Sequence, residues 1–171
     1  QSVSSDPPAP FEGEVWYNSG SNTLKYFANV SAGWSTGAAI TGRYKLAGAG
    51  IETAGLVFGG NNPANSPPLT NATEEYNGTS WSPGGNMSVA RSALAGAGTQ
   101  TAALAFGGDE PPGENATEEY NGSSWTSGGN LGSGRKYLMG CGTQTAGLAF
   151  GGTGGSTSTE EYNGSSWWYA F

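Results

Sequence analysis

The sequence predicts an all-β fold in which one four-stranded antiparallel sheet is written three times, and three observations carry that reading. Near-identical segments start at Arg43, Arg91 and Arg135, spaced 48 and 44 residues apart, a period that belongs to repeat architectures whose units stack on their neighbours. Each segment carries the same landmarks in the same order: Phe58, Phe106 or Phe150 before a Gly-Gly pair, then Tyr76, Tyr120 or Tyr162, then Trp81, Trp125 or Trp167. Glycine supplies 31 of 171 residues, Ser, Thr and Asn crowd the gaps, and no stretch of a segment accommodates a ten-residue helix.

The four strands of one unit follow from its wording. SALAGAGT, from Ser92 to Thr99, alternates small residues and suits a crowded inner strand, where side-chain volume has no room. TAALAFGG is a short apolar run closed by glycines, which reads as a buried strand ending at a turn or a close backbone approach. ATEEYNGSSW then supplies two strands around Asn77-Gly78, Asn121-Gly122 or Asn163-Gly164, which predicts a hairpin with a two-residue type I′ turn. The paired glutamates on the third strand, Glu74-Glu75, Glu118-Glu119 and Glu160-Glu161, must point to opposite faces, so neither pair can form one acid-base site. Their recurrence predicts a structural role, with one Glu per unit facing Arg43, Arg91 or Arg135.

A four-stranded antiparallel sheet repeated radially is a propeller blade. Gly-Gly after the second strand, Tyr on the third and Trp on the fourth resemble the kelch motif in all three copies, over about residues 43–171. The resemblance implies a propeller fold and leaves activity open. The wording AGAGTQTAALAFGG followed by ATEEYNGSSWTSGGNL is also similar to kelch-type arrays in the tail-fibre and structural proteins of marine bacteriophages, and that second likeness implies a virion role.

The expected organisation is an extended, proline-rich arm over 1–10, a divergent partial blade or capping hairpin over 11–42, and blades over 43–90, 91–134 and 135–171. In the second segment, Gly13 to Asn18, Asn22 to Ala28 and Gly33 to Gly42 can be laid over the second, third and fourth strands of a blade. Tyr26 and Trp34 then fall where the later Tyr and Trp fall. Propellers close with about four to eight blades, so three blades and a part stand at the lower limit: they either close as a small four-blade ring or, the expectation taken here, leave sheet edges and faces that a homo-oligomer or other virion proteins would cover.

Candidate recognition residues lie in the loops after Gly-Gly, where the copies disagree: Asn61, Asn62 and Asn65 in the first, Asp109, Glu110 and Glu114 in the second, Thr153 and Ser156 in the third. The blade-periodic Tyr and Trp read as packing between blades. Trp16, Tyr17, Tyr44, Tyr137, Trp168 and Tyr169 fall outside that register and are candidate exposed aromatics, toward a glycan or a partner. The apolar ending SSWWYAF predicts a docked terminus.

Composition restricts the chemistry. Six Lys and Arg against 13 Asp and Glu, with a net charge of −7 and no basic patch, predict no nucleic-acid binding. No apolar run reaches ten residues, which predicts no membrane-inserting helix. The chain opens on Gln1 without a legible signal peptide, as expected of a processed or excised protein. There is no histidine, which removes the commonest general base and every imidazole ligand, including those a kelch-type copper centre would need. Asp109, Glu110 and Glu114 could offer oxygen ligands to calcium, but their spacing matches no EF-hand and they read as a solvated acidic loop. Cys141 stands alone, in place of Ala49 and Ala97, and is expected to be a buried thiol.

The expectation that follows is a non-enzymatic virion or tail-fibre component, without cofactor or metal, that displays its loops toward a host-surface glycan or toward assembly partners. A secreted or cell-surface adhesin or fibre subunit, and a carbohydrate-active enzyme, are the alternatives.

Overall fold

The computed structural model describes residues 2–6, 15–26, 37–109, 115–153 and 157–170, and the chain divides into two compact units, Gln1–Thr36 and Gly37–Phe171. In the first unit, β2 (Val15–Asn18) and β3 (Thr23–Tyr26) form an antiparallel hairpin, and β1 (Ser2–Val3) runs parallel to β2. Asp6 ties that segment down, because its carboxylate accepts from Asn18 Nδ2 at 2.6 Å and from Lys25 Nζ at 2.7 Å. The arm expected over 1–10 thus includes a paired strand. Of the fourth strand laid over Gly33 to Gly42, residues 37–42 form no strand, and Trp34 lies outside the described residues.

The second unit contains three four-stranded antiparallel meanders, the propeller-like repeat expected from the sequence. The first consists of β4 (Ala47–Ile51), β5 (Ala54–Phe58), β6 (Thr73–Tyr76) and β7 (Trp81–Pro83). The second consists of β8 (Ala95–Thr99), β9 (Ala102–Phe106), β10 (Thr117–Tyr120) and β11 (Trp125–Ser127). The third consists of β12 (Met139–Thr143), β13 (Ala146–Phe150), β14 (Thr159–Tyr162) and β15 (Trp167–Tyr169). No α-helix occurs among the described residues.

Small residues make the first strands close neighbours, and β8 lies against both β4 and β12. A Cβ on Gly96 would come within 2.6 Å of the Phe58 ring and 2.7 Å of the Gly48 carbonyl oxygen, so the alternating glycines are a packing requirement. The Gly-Gly pair meets a different constraint. Gly107 has a φ of +67°, a Cβ there would sit 2.7 Å from the Arg135 carbonyl oxygen, and Gly108 N donates to that same oxygen at 3.1 Å. This pair is where the second sheet meets the segment that starts the third.

The hairpin differs from expectation. Tyr120 pairs with Trp125, which leaves a four-residue loop, and only Gly122 has positive φ, at +90°. The reason is the Asn121 side chain. Its Oδ1 accepts from Ser123 N at 3.0 Å and Ser124 N at 2.9 Å, closing the turn without a left-handed Asn. Asn77 and Asn163 do the same in their copies.

Strand parity assigns the glutamates. The first of each pair meets its own sheet's arginine: Arg43–Glu74 at 2.8 Å, Arg91–Glu118 at 3.2 Å and Arg135–Glu160 at 2.8 Å. Arg91 is fully buried and also donates to the carbonyls of Ala105, Gly107 and Ala116. Burial pulls its pKa below the ordinary value, while Glu118 pulls the other way.

The second Glu of the first two pairs faces the following sheet. Tyr120 Oη donates to Glu75 at 2.5 Å and Tyr162 Oη to Glu119 at 2.5 Å. Two further donors repeat at the same junctions. Gln100 Nε2 reaches the carbonyls of Gly55 and Tyr76, and Gln144 Nε2 those of Ala103 and Tyr120. Trp125 Nε1 donates to Thr73 and Trp167 Nε1 to Thr117, both at 2.9 Å. Apolar contacts fill the space between. Phe58 meets the Trp125 ring and Phe106 the Trp167 ring, both with centroids 4.8 Å apart. Two buried clusters result, one between the first and second sheets and one between the second and third.

Cys141 is exposed, contrary to the expectation of a buried thiol. Its counterpart Ala97 is covered by the third sheet, and no fourth sheet follows β12 among the described residues to cover Cys141 in turn.

Two outcomes follow. Arg91→Leu leaves the Glu118 carboxylate buried without its cation, and is expected to lower unfolding free energy by about 3–5 kcal/mol, read from urea midpoints. Tyr120 and Tyr162 are each pushed up to about 12, first by burial and then by the glutamate hydrogen bond. The unfolded chain sheds those protons near the ordinary value of 10 while the folded one retains them. Their contribution to stability is therefore complete below pH about 10 and lost as pH rises toward about 12. Denaturant titrations across that window should show the fall, and the double variant Tyr120→Phe, Tyr162→Phe should flatten it.

Candidate functional site

At one end of the three-sheet unit the first residues of the variable loops and part of the aromatic set come together. The organising line is a backbone ladder across the starts of the sheets: Ala93 N donates to Lys45 O, and Tyr137 N to Ala93 O, both at 2.8 Å. Lys45, Ala93 and Tyr137 hold equivalent places in the repeat and share a left-handed φ of 57°, 55° and 57°. Non-glycine residues adopt that conformation infrequently, and here it recurs three times in register, so it is part of the repeat's geometry.

The first residues after each Gly-Gly pair dock beside this ladder. Asn61 and Tyr44 exchange backbone hydrogen bonds at 2.8 and 3.1 Å, Asp109 N donates to Ser92 O at 2.7 Å, and Thr153 N to Lys136 O at 2.9 Å. Side chains then converge. Tyr44 and Tyr137 are 50% and 51% exposed, and the Lys45 ammonium lies 5.7 and 5.3 Å from their ring centroids. The Tyr137 hydroxyl raises the Lys45 pKa, chiefly as a hydrogen-bond partner. Lys136 Nζ and Asp109 Oδ1 form an ion pair of 2.8 Å on the adjoining part of the rim.

A second feature lies beside the first loop. Asn62 and Asn65, with Arg43, Glu74, Ala72 and Pro83, line a cavity of about 280 Å³ whose wall mixes polar and apolar groups. Asn62 Oδ1 caps the loop by accepting from Ala64 N at 3.0 Å, and Asn62 N donates to Pro68 O at 2.8 Å. The wall is held by Glu74, which accepts from Thr41 N at 3.2 Å while paired with Arg43.

Of the residues singled out from sequence, Asn61, Asn62, Asn65, Asp109, Thr153, Tyr44 and Tyr137 belong to this end. Tyr17 lies on β2 in the other unit and bonds Asn22 Oδ1 through its hydroxyl. Trp168 and Tyr169 are exposed on β15, the last strand of the third sheet. Glu110, Glu114, Ser156 and the Trp16 side chain lie outside the described residues. Sequence reasoning missed Lys45 and Lys136. Their signal was present: the two positions after each repeat arginine read Tyr-Lys, Ser-Ala and Lys-Tyr, and vary as the loops do.

What this end can do is noncovalent: two half-exposed tyrosine faces, two ammonium groups and the amides of Asn61, Asn62 and Asn65 offer stacking and hydrogen bonding. Among the described residues no three Asp, Glu or Cys gather as metal ligands would. Fold and site together define an all-β, propeller-like repeat protein with a polar and aromatic end face. Neither a protein-family model nor a curated protein matches the chain.

The rim should tolerate substitution. Lys136→Ala removes a pair whose two side chains are 34% and 39% exposed, and a thermal melt is expected to register a change of at most about 1 kcal/mol.

Proposed function

We propose that this protein is a non-enzymatic, kelch-like propeller segment, a structural component of a virion tail or fibre whose loop-bearing end faces a host-surface glycan. The observation that carries the reading is the convergence of the first residues of the three variable loops, Asn61, Asp109 and Thr153, with Tyr44 and Tyr137 on one end of a scaffold whose other repeated residues are engaged in packing. Rigid sheets supply the frame, while loops and rim residues are free to differ between copies. Exposed tyrosine rings offer apolar faces for sugar C–H groups, and the Asn amides offer donors and acceptors to hydroxyls. Single contacts of this kind are weak, and copy number in a virion multiplies them.

The non-enzymatic part rests on residue chemistry. Histidine is missing from the sequence, and each repeated glutamate pair is divided between an arginine of its own sheet and, at both internal junctions, the tyrosine of the next. The wording shared with bacteriophage tail-fibre arrays supports the virion assignment, and the exposure of Met139 and Phe150 on the outer face of the third sheet, uncovered among the described residues, supports assembly with further copies or other virion proteins.

The test is binding of the intact chain to an array of surface glycans, repeated with Tyr44→Ser, Tyr137→Ser and with the Asn61–Asn71 loop shortened. Loss of a wild-type signal by at least about tenfold, with circular dichroism unchanged, is expected. Equal binding by all variants would move the site elsewhere, and turnover of any glycan would overturn the non-enzymatic reading.

A further inference from the structure

The two internal junctions show what covers a sheet of this kind, and the outer face of the third sheet has no such cover among the described residues. Phe58 and Phe106 are fully buried by the following sheet, whereas Phe150 is 37% exposed. Met139 is 65% exposed where its counterpart Ala95 is 5% exposed. Cys141 and Leu148 sit opposite each other on β12 and β13, beside Phe150 on the same face. A groove of about 330 Å³ on this face is lined by Gly147, Leu148, Glu161, Tyr162 and Trp168. The Gly147 and Tyr162 carbonyls are the counterparts of those that Gln100 and Gln144 bond at the internal junctions.

The first sheet carries the matching donors. Tyr76 and Trp81 stack with centroids 4.9 Å apart at 36°, against 4.8 Å and 37° for Tyr120–Trp125 and 4.9 Å and 39° for Tyr162–Trp167. The two rings are therefore packed on each other as at the internal junctions, and docking moves the Tyr76 hydroxyl from its own turn to the neighbouring carboxylate. Tyr76 Oη donates to Gly78 O within its own turn, and Tyr76 and Trp81 are only half-buried where Tyr120 and Trp125 are buried.

We propose that the uncovered face of the third sheet docks the first sheet of a second copy of this chain, head to tail. This deepens the assembly half of the proposed function and does not depend on glycan binding. Trp81 Nε1 then meets Thr159, Tyr76 Oη meets Glu161, and Phe150 meets the Trp81 ring, repeating the internal clamp. Because the contact is heterologous, it either closes a ring or propagates. Two copies of the three-sheet unit supply six four-stranded sheets, within the four to eight that close a propeller, whereas three copies supply nine. The structure assigns a closed pair.

One residue distinguishes this junction from the internal ones. Glu52 holds the place of Gln100 and Gln144, and its carboxyl group lacks the amide N–H donors with which those glutamines bond two carbonyl oxygens. A buried acceptor facing acceptors weakens the contact, so the pair dissociates more readily than the internal junctions separate.

The experiment is sedimentation velocity on the 171-residue chain over a concentration series, with Cys141 as a reporter. A reversible species of twice the 17.3 kDa chain mass is expected, with Cys141 reacting more slowly toward a thiol reagent as that species fills. Glu52→Gln should tighten association about tenfold. Phe150→Asp should abolish it, and Thr159→Val on the same face should weaken it, which keeps the idea testable if the first variant misfolds. A monomer at every concentration, a dimer indifferent to Glu52→Gln and Thr159→Val, or growth into longer polymers would each overturn the closed head-to-tail pair. Glycan binding is not read in these measurements, so its failure and theirs are separable.

Discussion

Everything in the three-sheet unit depends on one clamp, in which a glutamine amide, a tyrosine hydroxyl and a tryptophan N–H of one sheet are donated to the face of the sheet before it. The sheets share no strand pairing, so away from the main-chain bonds at their starts, such as Ala93 N to Lys45 O, side chains hold them in register. Apolar burial between them is strong and non-directional, and would tolerate sliding. Three donors that find two main-chain carbonyls, a carboxylate and a threonine hydroxyl do not tolerate it, because each displaced bond leaves a buried polar group unpaired. The clamp repeats with nearly equal distances at both junctions, which explains why the sequence between its members is so closely copied.

A chain with only 11% charged residues uses its repeated charges structurally. Alternation along β10 sends Glu118 and Tyr120 to one face and Thr117 and Glu119 to the other. Glu118 is consumed by Arg91 and by the N–H and hydroxyl of Ser88, Glu119 by Tyr162 of the next sheet. One strand of four residues thereby joins its own sheet to the incoming segment and to the sheet that follows. Variation is left to the places outside this network: the loops after Gly-Gly and the two residues after each arginine. These meet at one end because the Gly-Gly pair delivers the loop to the segment that starts the next sheet.

Where sequence reasoning erred, the competing physics is identifiable. Asn121-Gly122 signals a two-residue turn, but an Asn side chain that accepts two main-chain N–H groups closes a four-residue turn with less backbone strain. Cys141 reads as buried because Ala97 is buried, yet burial at that position is conferred by the following sheet and not by its own. The role of Lys45 was hidden because a cation over two rings from separate sheets leaves no spacing in the chain.

The amino-acid sequence by itself determined the strands, their order within each sheet, the repeated Arg–Glu pairing and the positions of the variable loops. All of these follow from periodicity, turn chemistry and parity acting within about forty residues. Only the tertiary structure decided which faces are covered and which side chains from different sheets meet. Those outcomes depend on how successive sheets approach one another, and a polar or apolar residue carries no local mark of what will be packed against it. Hence the same Phe is buried at positions 58 and 106 and partly open at 150.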